Sequence, residues 1–311
     1  MKSFSLAPVL LFVYKRLDTL KVSIEALQQN KLAKESELFI FSDGPKSPQD
    51  EIEIDKIRKY IKVIDGFKNI YIFESTTNKG LANSIIDGVT QIINKYDKVI
   101  VLEDDLLTSP NFLAFMNQCL QHYRDDSKVF SVSGYTPFFK DVLNEDVYFI
   151  KRSSSWGWAT WKDRWNQIDW KVEDYNKFKN NPSQKRAFNS MGSDLSSMLT
   201  KQMEGKMNSW AIRWVYHQFK KDLFTVYPIV SKVRNIGFGT EATHTFDFFN
   251  RYETKTDVSG KESFNLVKPY IDKNILKRFL KNYSLFTRAK YKMLNILASV
   301  FFKLSKNKNY T

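Results

Sequence analysis

Lys98-Val99-Ile100-Val101-Leu102-Glu103-Asp104-Asp105-Leu106 is the stretch on which the fold turns. Its apolar run is short and rich in β-branched residues, with a turn before it and a helical pattern after it. That is the signature of a strand buried on both faces of a parallel sheet. The run ends in three consecutive carboxylates. Ligands of open α/β sheets bind beyond the carboxyl ends of strands. Hard oxygen donors there suit Mg²⁺ or Mn²⁺ carrying a phosphorylated substrate. The alternative is an acidic strand-to-helix loop, with Asp104 or Asp105 facing the positive end of the next helix.

Working outward, strands are expected at 8–13, 38–41, 70–73, 99–102 and 129–132, separated by helical patterns at 17–29, 52–61, 81–94 and 110–123. Leu20, Ile24 and Leu27 set the spacing of the first helix, with Asp18 or Thr19 near its start as cap. Ser42-Asp43-Gly44-Pro45 closes the second strand as a turn. Regular alternation of strand and helix over residues 8–132 argues a mostly parallel α/β sheet flanked by helices. Neither GxGxxG nor GxxxxGK[ST] occurs, so the usual dinucleotide and P-loop phosphate grips are excluded.

Beyond Gly134 the texture changes. Val147 to Ile150 reads as a strand, Ser209 to Phe219 as a helix and Phe224 to Val230 as a strand broken by Pro228. Five of the 7 tryptophans crowd into residues 156–170, among serines and Gly157. Such a loop offers ring faces for stacking on a sugar, and a core cluster is the alternative. Asn235 to Thr240 is glycine-rich and leads to Glu241 and His244, a candidate ligand or phosphate contact. From Lys273 to Lys308 basic residues alternate with bulky apolar ones and no acid intervenes. That pattern reads as an amphipathic helix for an anionic membrane surface.

The 311-residue chain carries a formal net charge of +14, which favours an anionic partner, and 15% aromatic residues. No nucleic-acid motif accompanies the charge. The single cysteine, Cys119, rules out an internal disulfide and fits a reducing compartment. Lys2 and the apolar residues up to Tyr14 lack a small-residue cleavage site, so a first strand explains them better than a signal peptide. No run reaches the roughly 18 apolar residues of a membrane span.

Taken together, these motifs resemble the nucleotide-sugar glycosyltransferases of the GT-A (Rossmann-like) fold, and most of all N-acetylglucosaminyltransferase I and its bacterial family 2-like relatives. The likeness runs from about residue 6 to 245. Val9 to Leu20 is similar to the opening strand, with Arg16 as the nucleotide contact. Phe41-Ser42-Asp43 is similar to the second strand, with Asp43 pairing with a uracil. The acidic stretch, with Pro110-Asn111-Phe112 after it, is similar to the metal motif. The resemblance implies Asp105 as the Mn²⁺ or Mg²⁺ ligand, joined by His244, with Glu103 and Asp104 along the ribose and donor sugar. Lys79 would add positive charge near the diphosphate. Trp156, Gly157, Trp158 and Trp210 would face the acceptor.

The resemblance further implies a domain at 1–245, with a nucleotide-binding half (1–134) and an acceptor half (135–245). A linker and a basic amphipathic helical tail would fill 246–311. The implied activity is hexosyl or N-acetylhexosaminyl transfer from a nucleotide-diphosphate sugar, with UDP favoured. The acceptor would be a hydroxyl of a glycan or lipid-linked molecule in bacterial surface polysaccharide synthesis. Transfer would occur in the cytoplasm on the inner face of the cell membrane. An inverting transfer needs a carboxylate as proton acceptor. The family carries an aspartate just after a tryptophan, where this chain has Ala211 and Ile212. Glu204 is the expected substitute for that role, Asp104 also enters the catalytic set, and Asp194 and Glu241 are further candidates. Two other readings remain: a sugar nucleotidyltransferase, whose glycine-rich N-terminal loop is missing here, and a decayed nucleotide-sugar-binding protein.

Overall fold

A computed structural model describes residues 5–139, 145–237 and 249–308, with side chains to residue 299. The chain begins with β1 (Val9–Val13), α1 (Leu17–Gln28), β2 (Glu37–Ser42), α2 (Pro48–Ile61), β3 (Asn69–Glu74), α3 (Leu81–Tyr96) and β4 (Lys98–Glu103). Next come β5 (Leu106–Thr108), α4 (Phe112–His122), β6 (Val129–Ser133), β7 (Val147–Ile150) and β8 (Trp158–Trp161). Short helices α5 (Lys162–Trp165), α6 (Tyr175–Lys179), α7 (Pro182–Asn189) and α8 (Leu195–Met203) precede the longer α9 (Trp210–Lys220). The last elements are β9 (Phe224–Pro228), β10 (Val233–Asn235), α10 (Lys273–Lys281) and α11 (Leu285–Lys308).

Eight strands form one sheet in the order β3-β2-β1-β4-β8-β6-β9-β7. The β3-β2-β1-β4 block is parallel throughout, as the apolar runs of β1 and β4 foretold. Only β8 and β7 run against the others, so the fold is α/β with a mostly parallel sheet. The chain steps outward from β1 to β3 and then returns to place β4 on the other side of β1. The order therefore reverses between β1 and β4, the position where such sheets open a crevice.

Both faces of the sheet are covered. On one, Leu20, Ile24 and Leu27 of α1, Ile57 and Ile61 of α2 and Phe112, Phe115 and Met116 of α4 pack against Val9, Leu11, Ile100 and Leu102. On the other, Ile85, Val89 and Ile92 of α3 and Trp210 and Trp214 of α9 pack against Leu10, Phe12, Val99 and Val101. Alternate side chains of one strand thus enter two different cores, which is why β1 and β4 are continuously apolar. At the sheet's far end, Ile275 and Phe279 of α10 pack on Tyr148, Ile150 and Tyr227.

Local differences from the sequence reading have simple causes. Neither Asp18 nor Thr19 caps α1; Arg16 holds the cap position, and the Thr19 hydroxyl donates to its carbonyl. The expected linker does not hang free. Phe264 is buried in the first core, the Tyr123 hydroxyl donates to the Val267 carbonyl, and Asn111 Nδ2 donates to Asp257 and to the Lys261 carbonyl. Among the described residues no helix is long and apolar enough to cross a membrane.

Candidate active site

The carboxyl ends of β1, β2 and β4 lie side by side, with Val13 level with Ser42 and Phe12 level with Glu103. Over them opens a cleft of ≈ 430 Å³ lined by Arg16, Asp43, Lys46, Glu103, Asp104, Asp105, Trp156, Asn235 and Gly237, among others. Residues from both halves of the chain meet there.

Arg16 is the hub of its polar side. Its Nη2 donates to Asp104 Oδ1 at 2.7 Å and to Asp105 Oδ2 at 2.8 Å. Burial works against the guanidinium charge, but the two aspartates outweigh it and raise the Arg16 pKa above its ordinary value. Asp104 Oδ2 also accepts the Tyr14 backbone N–H at 3.2 Å. Burial pushes the Asp104 carboxyl up to about 6, against the pull of Arg16.

Glu103 differs from its neighbours. It lines the cleft, is half-buried and accepts no hydrogen bond among the described residues. Burial first, and then repulsion from Asp105 and Asp104, push its carboxyl up to about 8. A carboxyl group with free oxygens in a pocket wall is suited to hydrogen-bond a ligand hydroxyl, donating when protonated and accepting when ionised.

Asp43 is held otherwise. Its Oδ1 accepts the Gly44 and Lys79 N–H groups at 2.9 Å each, and its Oδ2 accepts the Gly80 N–H at 2.9 Å and Asn78 Nδ2 at 3.3 Å. A carboxylate offers about four lone-pair sites, so all are engaged. Asp43 clamps the β2 turn to the start of α3 and forms the pocket wall. It has no spare lone pair for a base in this arrangement. Lys79 serves through its backbone; its ammonium points to Asp87 Oδ2, 3.3 Å away, and does not line the cleft. Lys46 does line it, with no ion pair among the described residues. A lysine just past a turn carries no sequence signal of its own, so Lys46 escaped the sequence reading.

The lid over Asp105 comes from far along the chain. β10 pairs antiparallel with β5, setting Asn235 opposite Leu106. Asn235 Nδ2 then lies 3.4 Å from Asp105 Oδ1, and the Ile236 N–H donates to the Asp105 carbonyl. Gly237 packs so closely that an added Cβ would sit 2.2 Å from Asp105 Oδ2 and 2.8 Å from Arg16 Nη1. His244 and Glu241 lie outside the described residues.

Among the described residues no group of three acids, histidines or cysteines is arranged to hold a metal. Asp105 lines the cleft beside Asp104 and Glu103 and offers carboxylate oxygens, the hard donors that a hard divalent cation prefers. That donor set fits Mg²⁺ or Mn²⁺ bound through one or two carboxylates, with substrate phosphates completing the shell, and does not fit an all-protein cage.

Five expected site residues need correction. Trp158 is 1% exposed, with ring centroids 4.4 Å from Trp214, 4.9 Å from Trp210 and 5.6 Å from Trp165. It and Trp210 build the second core and do not reach the cleft, because β8 is an interior strand buried on both faces. Gly157, at φ +56°, serves a turn in which an added Cβ would meet Val233 at 2.8 Å. Glu204 ends α8 at the surface, paired with Lys206 at 2.8 Å, and is not part of the cleft. Asp194 is also committed elsewhere, in a buried two-bond pair with Arg152 at 2.9 Å per bond.

Trp156 alone of the expected acceptor residues lines the cleft. It also lines a second cavity of ≈ 200 Å³ with Tyr135, Arg152, Ser153, Tyr252 and Tyr283. Its ring stands edge-on to Tyr135 and Tyr252, at 4.7 and 5.4 Å. Trp156 is therefore a wall shared by two cavities.

No family profile matches the chain, and no curated protein matches it. Among solved structures it is similar to the mannosyltransferase PcManGT from Pyrobaculum calidifontis, in complex with GDP-Man and Mn²⁺ (12% identity, TM-score 0.36, 52% of this chain and 48% of that one). It is also similar to S. aureus TarS (12%, 0.31, 45% and 24%) and to residues 1–349 of TarS (13%, 0.37, 52% and 49%). The chain thus spans half or less of the length of the structures it resembles.

Proposed function

We propose that the chain is a glycosyltransferase that moves a sugar from a nucleotide-diphosphate donor, with UDP favoured, to a hydroxyl of a glycan or lipid-linked acceptor. The observation that carries the reading is the Arg16–Asp104–Asp105 cluster, set with Glu103 at the sheet's reversal point and capped by Asn235 and Gly237. A divalent cation on Asp105 would neutralise the diphosphate as it leaves. Arg16 and Lys46 bring fixed positive charge to the same pocket. Glu103, with unengaged oxygens, hydrogen-bonds a sugar hydroxyl, and takes the acceptor's proton once it is ionised. Asp104 is held by Arg16 and Tyr14 along the ribose. The acceptor enters by the cavity beyond Trp156, where serine hydroxyls and aromatic rings suit a saccharide. Hexosyl or N-acetylhexosaminyl transfer with inversion, in surface polysaccharide synthesis on the inner face of the cell membrane, is the reading we favour.

The test is a screen of nucleotide sugars for Mn²⁺-dependent hydrolysis, comparing wild type with Asp105→Ala. Hydrolysis of at least one donor, reduced at least 100-fold by the substitution, is expected. No hydrolysis of any donor would overturn the reading. A second reading, a nucleotide-sugar-binding protein without turnover, has one observation in its favour. Glu204 and Asp194, the described candidates for a base from the second half, are both engaged away from the cleft. Mn²⁺-dependent UDP binding without turnover would select it.

A further inference from the structure

On the protein-facing side of the tail helix α11, Tyr291, Leu294 and Ala298 are half-buried, Asn295 exchanges two hydrogen bonds with the Phe249 backbone, at 2.8 and 3.1 Å, and Arg288 Nη1 donates to Ser193 Oγ at 2.9 Å. These contacts fix the helix's rotation. At 100° per residue, Leu285, Ile296, Ala289, Met293, Phe286 and Leu297 then fall on one arc of about 120°. That arc faces solvent, with Leu285 70%, Phe286 79%, Met293 56%, Ile296 54% and Leu297 47% exposed. Lys290 and Lys292 border it on either side and are also exposed. Neither α10 nor α11 carries an acid, and Lys273, Lys277 and Lys281 of α10 are exposed as well. A contiguous apolar strip of this size is unusual on a free surface.

We infer that α11 docks flat on an anionic lipid bilayer, with the Leu285–Leu297 arc sunk among the acyl chains and the flanking lysines at the headgroups. Apolar residues between two lysine borders, without acids, match the interfacial helix in both chemistry and layout. A second copy of the chain fits less well. Stacking two such faces would set lysine borders against lysine borders on proteins that each carry +14. The inference names the face and manner of the membrane attachment in the functional reading, and it rests on the tail alone.

Co-sedimentation of the full chain with phosphatidylcholine vesicles, with and without about 30% phosphatidylglycerol, tests it. Binding to the anionic vesicles at least tenfold above phosphatidylcholine alone is expected, falling severalfold at high salt. The double variant Phe286→Glu, Met293→Glu is expected to lose that binding while keeping its far-UV circular dichroism. Its vesicle-free nucleotide-sugar hydrolysis should also be unchanged. The exposed positions make misfolding avoidable, and hydrolysis separates failure of docking from failure of the enzymatic reading. A wild type that stays in the supernatant with both vesicles, or a variant that binds as well, would overturn the proposal. So would a wild-type dimer in sedimentation velocity that the variant converts to monomer.

Discussion

Gly237 shows how tightly the acid loop is enclosed. A methyl group there would collide with Asp105 Oδ2 and the Arg16 guanidinium. Gly237→Ala is therefore expected to displace the ligand-facing carboxylate and lower donor hydrolysis at least tenfold. The melting temperature should fall by only a few degrees, because no core contact is lost. Turnover equal to wild type would show that Asp105 does not act from this position. Arg16, Asp43 and the three acids were legible from sequence because each directly follows an apolar strand, and parallel strands end together. Asn235 and Lys46 were not, since their places come from a distant β-ribbon and a turn.

At the level of elements, the tryptophans of β8, α5 and α9 act as a packing unit. Trp165 Nε1 donates to Thr90 Oγ1 at 2.9 Å, whereas Trp214 Nε1 is buried without a partner among the described residues. Replacement by phenylalanine removes similar apolar volume from both. Trp165→Phe is expected to cost about 1 kcal/mol more stability than Trp214→Phe, since only it loses a hydrogen bond. Paired urea denaturation curves measure the difference; equal losses would contradict the assignment. The same unit explains why a run of tryptophans suggested sugar stacking. β8 buries both faces, sending Trp158 to one core and Trp161 to the other, and burial on both sides depends on neighbours that arrive from elsewhere. Trp156, just before the strand, lines the cleft instead. Glu204 stands close in sequence to the start of α9, but that nearness says nothing about the direction in which the end of α8 faces.

For the whole molecule, acid stability is set partly by His217, 3% exposed and stacked on Phe130. Burial, aided by Lys220 and Lys221, lowers its pKa from 6.5 to about 4. The unfolded chain then binds the proton more readily between these values, so stability is complete above pH 6.5 and declines as pH falls towards 4. His217→Gln is expected to flatten that decline, read as melting temperature against pH; an unaltered slope would refute the assignment. The pairing of Arg16 with Asp104 and Asp105 has a different consequence, for thermal linkage. The site already contains its own counter-ion, so the native state does not need a metal to balance the acids. A ligand stabilises a fold by its preference for the native state, and a bare dication must compete with Arg16 for the same oxygens. Chelator or Mn²⁺ alone is therefore expected to leave the melting temperature unchanged. Mn²⁺ together with UDP, which brings its own negative charge, is expected to raise it by more than the sum of the two separate shifts. Strictly additive shifts would mean that cation and nucleotide bind independently.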